Sequence, residues 1–266
     1  MRRTIGAHLE CDVITDVGVI LSVAAARGPN VAEESLVVTL NGAPLDVTEI
    51  SEEQGTRLHV VDRVTPGWLI VDYNATLDSF AEPAEMRPVD RIRYCRPSRY
   101  CESDRMAAVA RGEFAGLSGE DLLRAVASWV GTHLGYVAGS SRPIDGAVAT
   151  LLARQGVCRD FAHLVIAFLR ACDVPARLAS VYAPGLSPMD FHAVAEAWLD
   201  DRWTVIDATC LAPRSSMVRI ATGQDASDTA FLTTTGGFIN LVGMEVTAYT
   251  DGMLPTDDVN ASALLL

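Results

Sequence analysis

Residues 154–178, RQGVCRDFAHLVIAFLRACDVPARL, contain a clear helical signal. Six apolar side chains recur there at positions i, i+3, i+4, i+7, i+8 and i+11, the spacing of one face of an amphipathic helix. They are Phe161, Leu164, Val165, Phe168, Leu169 and Cys172. Gly156 precedes the pattern and Pro175 follows it, and both residue types favour a helix end. The sequence therefore predicts a helix that begins close to Cys158.

Cys158 is predicted to lie in the first turn of this helix. There, free backbone N–H groups and the helix dipole favour a thiolate, and the same N–H groups can stabilise an oxyanion. The thiolate is the reactive form of a cysteine nucleophile. On position alone a buried structural cysteine is the commoner case, and we predict that role for Cys172. His163 is not on the same helix face as Cys158, so we predict a structural or surface role for it.

A histidine and an aspartate occur on two neighbouring strand patterns, HAVAEAWL at 192–199 and RWTVIDAT at 202–209. If the two residues between them form the turn, Trp198 faces Trp203, which is a favourable aromatic cross-strand pair. The same register places His192 and Asp207 on one face of the hairpin, within reach of a hydrogen bond. A nucleophilic Cys158, His192 as its base and Asp207 orienting the imidazole would complete a catalytic triad.

The first 80 residues predict a small antiparallel β-sandwich. Short runs rich in Val, Ile, Leu and Thr alternate there with turn signals, and Asn41-Gly42 is a typical two-residue hairpin turn. The five runs are TIGAHLECDV, VGVILSVAAA, ESLVVTLNG, TRLHVVDRV and WLIVDYNATL. This part contains no cluster of His, Cys or paired acids, so we assign no chemistry to it.

The rest of the chain is predicted to be a linker and a second domain. Residues 81–103 are interrupted by prolines, which exclude a continuous helix, and we expect a linker there. Helices are then predicted over about 104–112, from Ser118 onward and over about 144–154. The resulting division is a sandwich at 1–80, a linker at 81–103 and a catalytic domain at 104–266.

Composition and charge limit the classes of partner. The formal net charge is −13 and the sequence pI is about 4.7, which argues against binding nucleic acid, since that needs clustered Lys and Arg. No signal peptide or membrane-spanning run is apparent, so we expect a cytoplasmic protein without a membrane partner. The six cysteines include no Cys-x-x-Cys pair and are expected to stay reduced.

Three short motifs together resemble the transglutaminase-like superfamily in its bacterial two-domain form. They are Gly156-Val157-Cys158, His192-Ala193 with Glu196, and Asp207-Ala208-Thr209. The resemblance covers about residues 95–250, and the preceding sandwich resembles the extra β domain of bacterial members. Val194 and Ala208 depart from the residues common in the family, but neither position supplies chemistry.

This resemblance implies an α+β fold, a papain-like core in which the helix bearing the cysteine packs on an antiparallel sheet. It implies acyl transfer through a thioester, with Cys158, His192 and Asp207 as the catalytic residues and a peptide or protein as substrate. No metal or other cofactor is expected, because the calcium sites of animal transglutaminases have no counterpart here. Gln155 is a candidate to help Cys158 hold an oxyanion, although a glutamine on the surface of a helix is the commoner case.

Several functions remain open at this level. Hydrolysis of a peptide, isopeptide or glutamine-type amide is the leading hypothesis, and crosslinking by a true transglutaminase, in which an amine replaces water, is the second. A non-catalytic binding module with a degenerate site is disfavoured by the intact Cys, His and Asp. A metal site at Cys158 and His192 is disfavoured because too few ligands accompany them.

Overall fold

The N-terminal strands form where β-branched and aromatic residues recur between turn signals. The computed structural model describes residues 1–259 and 261–265. Its strands are β1 (Arg3–Val13), β2 (Val17–Leu21), β3 (Val31–Leu40), β4 (Ala43–Pro44), β5 (Thr48–Ser51), β6 (Arg57–Val64), β7 (Gly67–Leu77), β8 (Gly135–Tyr136), β9 (Gln155–Gly156), β10 (Ala176–Tyr182), β11 (Phe191–Leu199), β12 (Arg202–Ile206), β13 (Val218–Gly223), β14 (Leu232–Thr235) and β15 (Ile239–Thr250). All five strands predicted in the first 80 residues are present.

The helices are fewer and lie in the middle of the chain. They are α1 (Pro88–Arg93), α2 (Ser103–Glu113), α3 (Gly119–His133), α4 (Ala147–Ala153) and α5 (Cys158–Ala171), with a 3₁₀ turn at Arg214–Ser216. The predicted linker contains α1, a short helix that the prolines allow because Pro88 occupies its first turn. Within the described residues, no helix is long and apolar enough to cross a bilayer.

The N-terminal strands pair in two antiparallel sheets that enclose one apolar core. One sheet has the order β15-β1-β7-β3-β4 and the other has the order β14-β2-β6-β5. Alternate side chains of β1, β2 and β7 point into the shared core, including Leu9, Val19 and Val71. The predicted Asn41-Gly42 turn joins β3 to β4, and both of its residues have positive φ, as a two-residue hairpin turn requires.

Strand pairing crosses the predicted domain boundaries. β15 pairs antiparallel with β1, and β14 pairs with β2, so the C-terminal part of the chain supplies one strand to each N-terminal sheet. The predicted boundaries remain a prediction, but residues 232–250 lie with the sandwich rather than with the helices. Local periodicity carries no information about which distant strand a segment pairs with. The sequence therefore could not show that residues 232–250 pair with the sandwich.

The second part of the chain has the predicted papain-like arrangement. A third antiparallel sheet has the order β12-β11-β10-β13, and α5 packs on it through an apolar face that includes Leu164, Val165 and Phe168. Tyr182 and Ile220, from β10 and β13, belong to the core of the sandwich. The third sheet therefore carries the cysteine helix and also contacts the N-terminal sheets.

The β11–β12 hairpin has the predicted register. Leu199 pairs with Arg202 and Trp198 with Trp203, and the two indole rings meet edge to face with centroids 5.3 Å apart. Asp200 and Asp201 form the turn with φ of 49° and 57°. Because side chains alternate along a strand, this register decides which residues of β11 and β12 share a face.

A buried cluster of charges joins three strands of the third sheet. Glu196 on β11 is fully buried, and its carboxylate accepts hydrogen bonds from Arg177 on β10 and Arg219 on β13, each at 2.8 Å. The guanidinium carbon of Arg177 also lies 3.8 Å from the centroid of a Trp203 ring. The glutamate of the His-Ala-x-x-Glu motif therefore has a structural role, holding β10, β11 and β13 together.

Candidate active site

Cys158 is the first residue of α5, as predicted, and its position is fixed by the residues around it. The side chain of Asp160 accepts a hydrogen bond from the Val157 N–H at 2.8 Å and another from the Ser141 hydroxyl at 2.9 Å. A Cβ at Gly156 would lie 2.6 Å from the Cβ of Asp160. This close approach explains why glycine stands two residues before the cysteine. Cys158 itself is half-buried.

His192 and Asp207 meet on one face of the β11–β12 hairpin, as the register predicts. Their side chains are buried, and Nε2 of His192 lies 2.9 Å from Oδ2 of Asp207. A carboxylate can only accept, so Nε2 carries the hydrogen of this bond. The other carboxylate oxygen accepts from the Thr209 N–H at 2.9 Å and from its hydroxyl at 2.6 Å. Both oxygens of Asp207 are therefore held in place.

The second ring nitrogen of His192, Nδ1, is not bonded to Asp207 and remains available to the thiol. It is buried, and it has no partner of good hydrogen-bond geometry among the described residues. The Cys158 side chain nevertheless lies close enough to act on the imidazole ring. Catalytic contacts are often poorly aligned in free enzymes and tighten when substrate binds. The structure thus brings Cys158, His192 and Asp207 together in the predicted order.

The pKa of His192 is raised from its ordinary value of 6.5 to about 10. Burial alone would lower this pKa, but hydrogen bonds and charge interactions with Asp207 and Cys158 outweigh it. The pKa of Asp207 is lowered, because bonds from His192 and Thr209 outweigh its own burial. At neutral pH the site therefore favours an imidazolium next to a carboxylate.

Gln155 lies in β9, three residues before Cys158, and is exposed. Its predicted part in an oxyanion site remains a prediction. The sequence patterns did not single out a nearby residue, Tyr136, whose pKa is raised to about 12 by burial and by the adjacent Cys158. The sequence signal for this position of Tyr136 was weak, because β8 and β9 pair over only two residues each. An aromatic residue three positions after the end of helix α3 was the sequence feature that marked the position.

His163 has the structural role that its position on α5 predicts. It is fully buried and stacks on Tyr100, with ring centroids 5.3 Å apart. The backbone N–H of Ala226 donates to its Nε2 at 3.1 Å. Burial lowers the pKa of His163 to about 3, so the ring is neutral and helps to join α5 to the segment after β13.

Within residues 1–259 and 261–265, no group of three or more His, Cys, Asp or Glu side chains has an arrangement that could hold a metal ion. The candidate site consists of the thiol, the imidazole and the carboxylate, with Tyr136 and the first N–H groups of α5 beside them. In such a site the thiol can attack a carbonyl carbon, the imidazole can move a proton, and the N–H groups can stabilise negative charge on oxygen.

Comparison with known proteins agrees with this geometry. Residues 109–208 match the family model described as the transglutaminase-like superfamily. The whole chain resembles the crystal structure of a candidate cysteine protease from Cytophaga hutchinsonii, with 33% identity and a TM-score of 0.88. The similarity covers 98% of this chain and 95% of that one.

Two mycobacterial relatives match over shorter ranges. An uncharacterized protein of Mycobacterium leprae (strain TN) is 25% identical over an alignment of 166 residues, and the match covers 57% of this chain and 58% of that protein. An uncharacterized protein of Mycobacterium bovis is 38% identical over 103 residues, covering 34% of this chain and 33% of the relative. This chain thus spans only part of the length of these curated relatives.

Proposed function

The chain belongs to the transglutaminase-like superfamily, and we propose that it hydrolyses a peptide, isopeptide or glutamine-type amide bond through a thioester on Cys158. The observation that carries this proposal is the alignment of the triad. A buried carboxylate of Asp207 holds one nitrogen of His192 at 2.9 Å, and the other nitrogen is left for the thiol at the start of α5. This is the geometry of a cysteine nucleophile with an oriented base.

The first half of the reaction forms the thioester. The thiolate of Cys158 attacks the carbonyl carbon of the amide, a C–S bond forms, and the π electrons of the carbonyl move to its oxygen. The backbone N–H groups at the start of α5 lie where they can bind this oxyanion. The carbonyl then reforms, the C–N bond breaks, and the imidazolium of His192 gives its proton to the departing amine nitrogen.

The second half of the reaction returns the enzyme to its starting state. His192, now neutral with Nε2–H bonded to Asp207, presents Nδ1 as a base and takes a proton from a water molecule. The oxygen of that water attacks the thioester carbon, and the C–S bond breaks with its electrons returning to sulfur. The product is a carboxylic acid, and the thiolate–imidazolium pair is restored.

Hydrolysis is expected to exceed transfer to an amine. Cys158 is half-buried and the adjacent Tyr136 is 47% exposed, so water can reach a thioester at this position. At pH 7 only about one primary amine in 2,500 is neutral and nucleophilic, given an ordinary pKa near 10.4. Water is therefore the favoured acceptor unless a specific amine site concentrates the competitor.

The test uses a glutamine-containing peptide with and without excess primary amine, and mass spectrometry of the products. We expect free acid, from the peptide bond or from the glutamine side chain, to be the main product in both conditions. The Cys158→Ala variant is the control and should give neither product. A dominant amine adduct would support crosslinking instead, and acid formation by Cys158→Ala would remove the thioester from the mechanism.

The place of the protein in the cell is a further part of the proposal. All six cysteines are free thiols, which is consistent with a reducing compartment such as the cytoplasm. Cytoplasmic location remains a prediction. Mapping where a tagged copy of the full protein fractionates would test it, and recovery outside the cytoplasm would contradict it.

A further inference from the structure

Tyr136 lies directly beside the nucleophile. It belongs to β8, which pairs in parallel with β9 so that Tyr136 is opposite Gly156. The next backbone N–H, of Val137, donates to the Gly156 carbonyl at 3.0 Å. The ring of Tyr136 contacts Phe161, with centroids 5.9 Å apart. These contacts place the tyrosine ring against the first turn of α5, next to Cys158.

The hydroxyl of Tyr136 lies near Cys158, and both the backbone and the side chain of that residue influence its pKa through hydrogen bonding. The backbone N–H can only donate, so the phenolic oxygen accepts there. The phenolic hydrogen is then free to be donated to the sulfur. An oxygen within reach of both the N–H and Sγ of Cys158 lies close to where the oxyanion of a sulfur-bound substrate must lie.

We propose that Tyr136 is a catalytic residue whose hydroxyl donates a hydrogen bond to the oxyanion formed when Cys158 attacks a carbonyl. This proposal rests on the acyl transfer proposed above. In the free enzyme the phenol donates to the sulfur. When the C–S bond forms, negative charge leaves sulfur and appears on the carbonyl oxygen, which takes over the Cys158 N–H. The phenol then turns its donation to that oxygen, and the proton stays on Tyr136 throughout.

Two properties of Tyr136 suit it to this task. Burial, together with the nearby charge of Cys158, raises the pKa of its hydroxyl to about 12, so the group remains a donor over the whole neutral range. The side chain is also 47% exposed, which leaves room for the small shift that substrate requires. Gln155, the residue that the sequence suggested for this role, is exposed on the neighbouring strand.

The test compares two reactions of the same thiol in the Tyr136→Phe variant. Acylation by p-nitrophenyl acetate passes through an oxyanion, whereas alkylation by iodoacetamide displaces iodide and forms none. Both rates are taken at their high-pH plateaus, where the thiolate is fully formed. We expect acylation to fall about 100-fold, as for loss of one oxyanion donor, while alkylation changes by less than about threefold.

Phenylalanine keeps the ring contact with Phe161, so the variant is expected to fold, and circular dichroism checks this. Tyr249→Phe is the matched control, because Tyr249 is exposed on β15, and it should change neither rate. Equal or faster acylation by Tyr136→Phe would overturn the proposal, and so would a parallel loss of both reactions. A wild-type Cys158 that is alkylated but never acylated would overturn the proposed acyl transfer itself, and this role with it.

Discussion

Replacing Asp207 with asparagine is expected to lower turnover of an amide substrate by about 10- to 1000-fold without unfolding the protein. In a serine protease triad the equivalent change costs about 10⁴-fold. A cysteine–histidine pair can ionise before substrate binds, so it should depend less on the third residue. The loss should appear in kcat more than in KM, because the carboxylate acts on the charge of the transition state.

The hydrogen bonds around Asp207 explain why asparagine cannot hold His192 in the required tautomer. The Thr209 N–H needs an acceptor, and it now bonds one carboxylate oxygen at 2.9 Å. An asparagine must place its carbonyl oxygen there, which turns its NH₂ group toward Nε2 of His192. Nε2 must then accept, so in the neutral ring the hydrogen moves to Nδ1. A ring with Nδ1–H cannot take a proton at the position that faces Cys158.

Steady-state kinetics with circular dichroism measure this effect. Asp200→Asn is a matched control, because Asp200 lies at the other end of the same hairpin, is exposed and has the positive φ that asparagine tolerates. The control should keep full activity. A folded Asp207→Asn variant with undiminished turnover would mean that Asp207 only ends a strand, and that another group orients His192.

The same pair should make stability depend on pH. The folded-state pKa of His192 is about 10 against an ordinary 6.5, so its stabilising contribution is fully present below about 6.5. That contribution is lost as pH rises through about 10. The difference in free energy of unfolding between wild type and Asp207→Asn should therefore shrink between these limits, and urea unfolding at both ends of the range would show it.

Replacing Glu196 with alanine is expected to lower the free energy of unfolding by about 3–5 kcal/mol, the usual cost of breaking a buried ion pair from one side. Glu196 is completely buried, and Arg177 is only 2% exposed. Without the carboxylate, the Arg177 charge stays buried with no acid to balance it. The loss should appear in urea unfolding with little change in the denaturant slope.

Two further variants separate charge from packing. Glu245→Ala removes a glutamate that is exposed on β15 and should cost no more than about 0.5 kcal/mol. Adding Arg177→Met to Glu196→Ala removes the unbalanced charge as well, so it should recover part of the lost stability. A loss below about 1 kcal/mol for Glu196→Ala would show that the cluster contributes far less than its burial implies.

The parts of the fold that follow local rules could be predicted from the sequence. The apolar spacing from Phe161 to Cys172 gave the cysteine helix, and the Asp200-Asp201 turn with its Trp198–Trp203 pair gave the register that joins His192 to Asp207. In both cases the deciding contacts are close in sequence or fixed by a short turn.

Contacts between distant segments could not be predicted in this way. The pairing of β14 and β15 with β2 and β1 joins residues more than two hundred positions apart, and a strand pattern does not say which partner it takes. Tyr136 reaches Cys158 through two strands of only two residues each. Neither strand is long enough to show a period in the sequence. The position of Tyr136 at the site is therefore seen only in the folded structure.

Competitive alkylation of the six thiols with iodoacetamide at pH 7, mapped by mass spectrometry, tests the central claim that Cys158 is an activated nucleophile. The pKa of each of the other five is raised, chiefly by desolvation, and they are Cys11, Cys95, Cys101, Cys172 and Cys210. Among the six, Cys158 lies beside the imidazole of His192, whereas Cys210 contacts the backbone carbonyl of Asp207, 3.5 Å from its sulfur. We predict that Cys158 is alkylated first, ahead even of the exposed Cys210. Preferential labelling of Cys210 or Cys101, with Cys158 inert, would contradict the account.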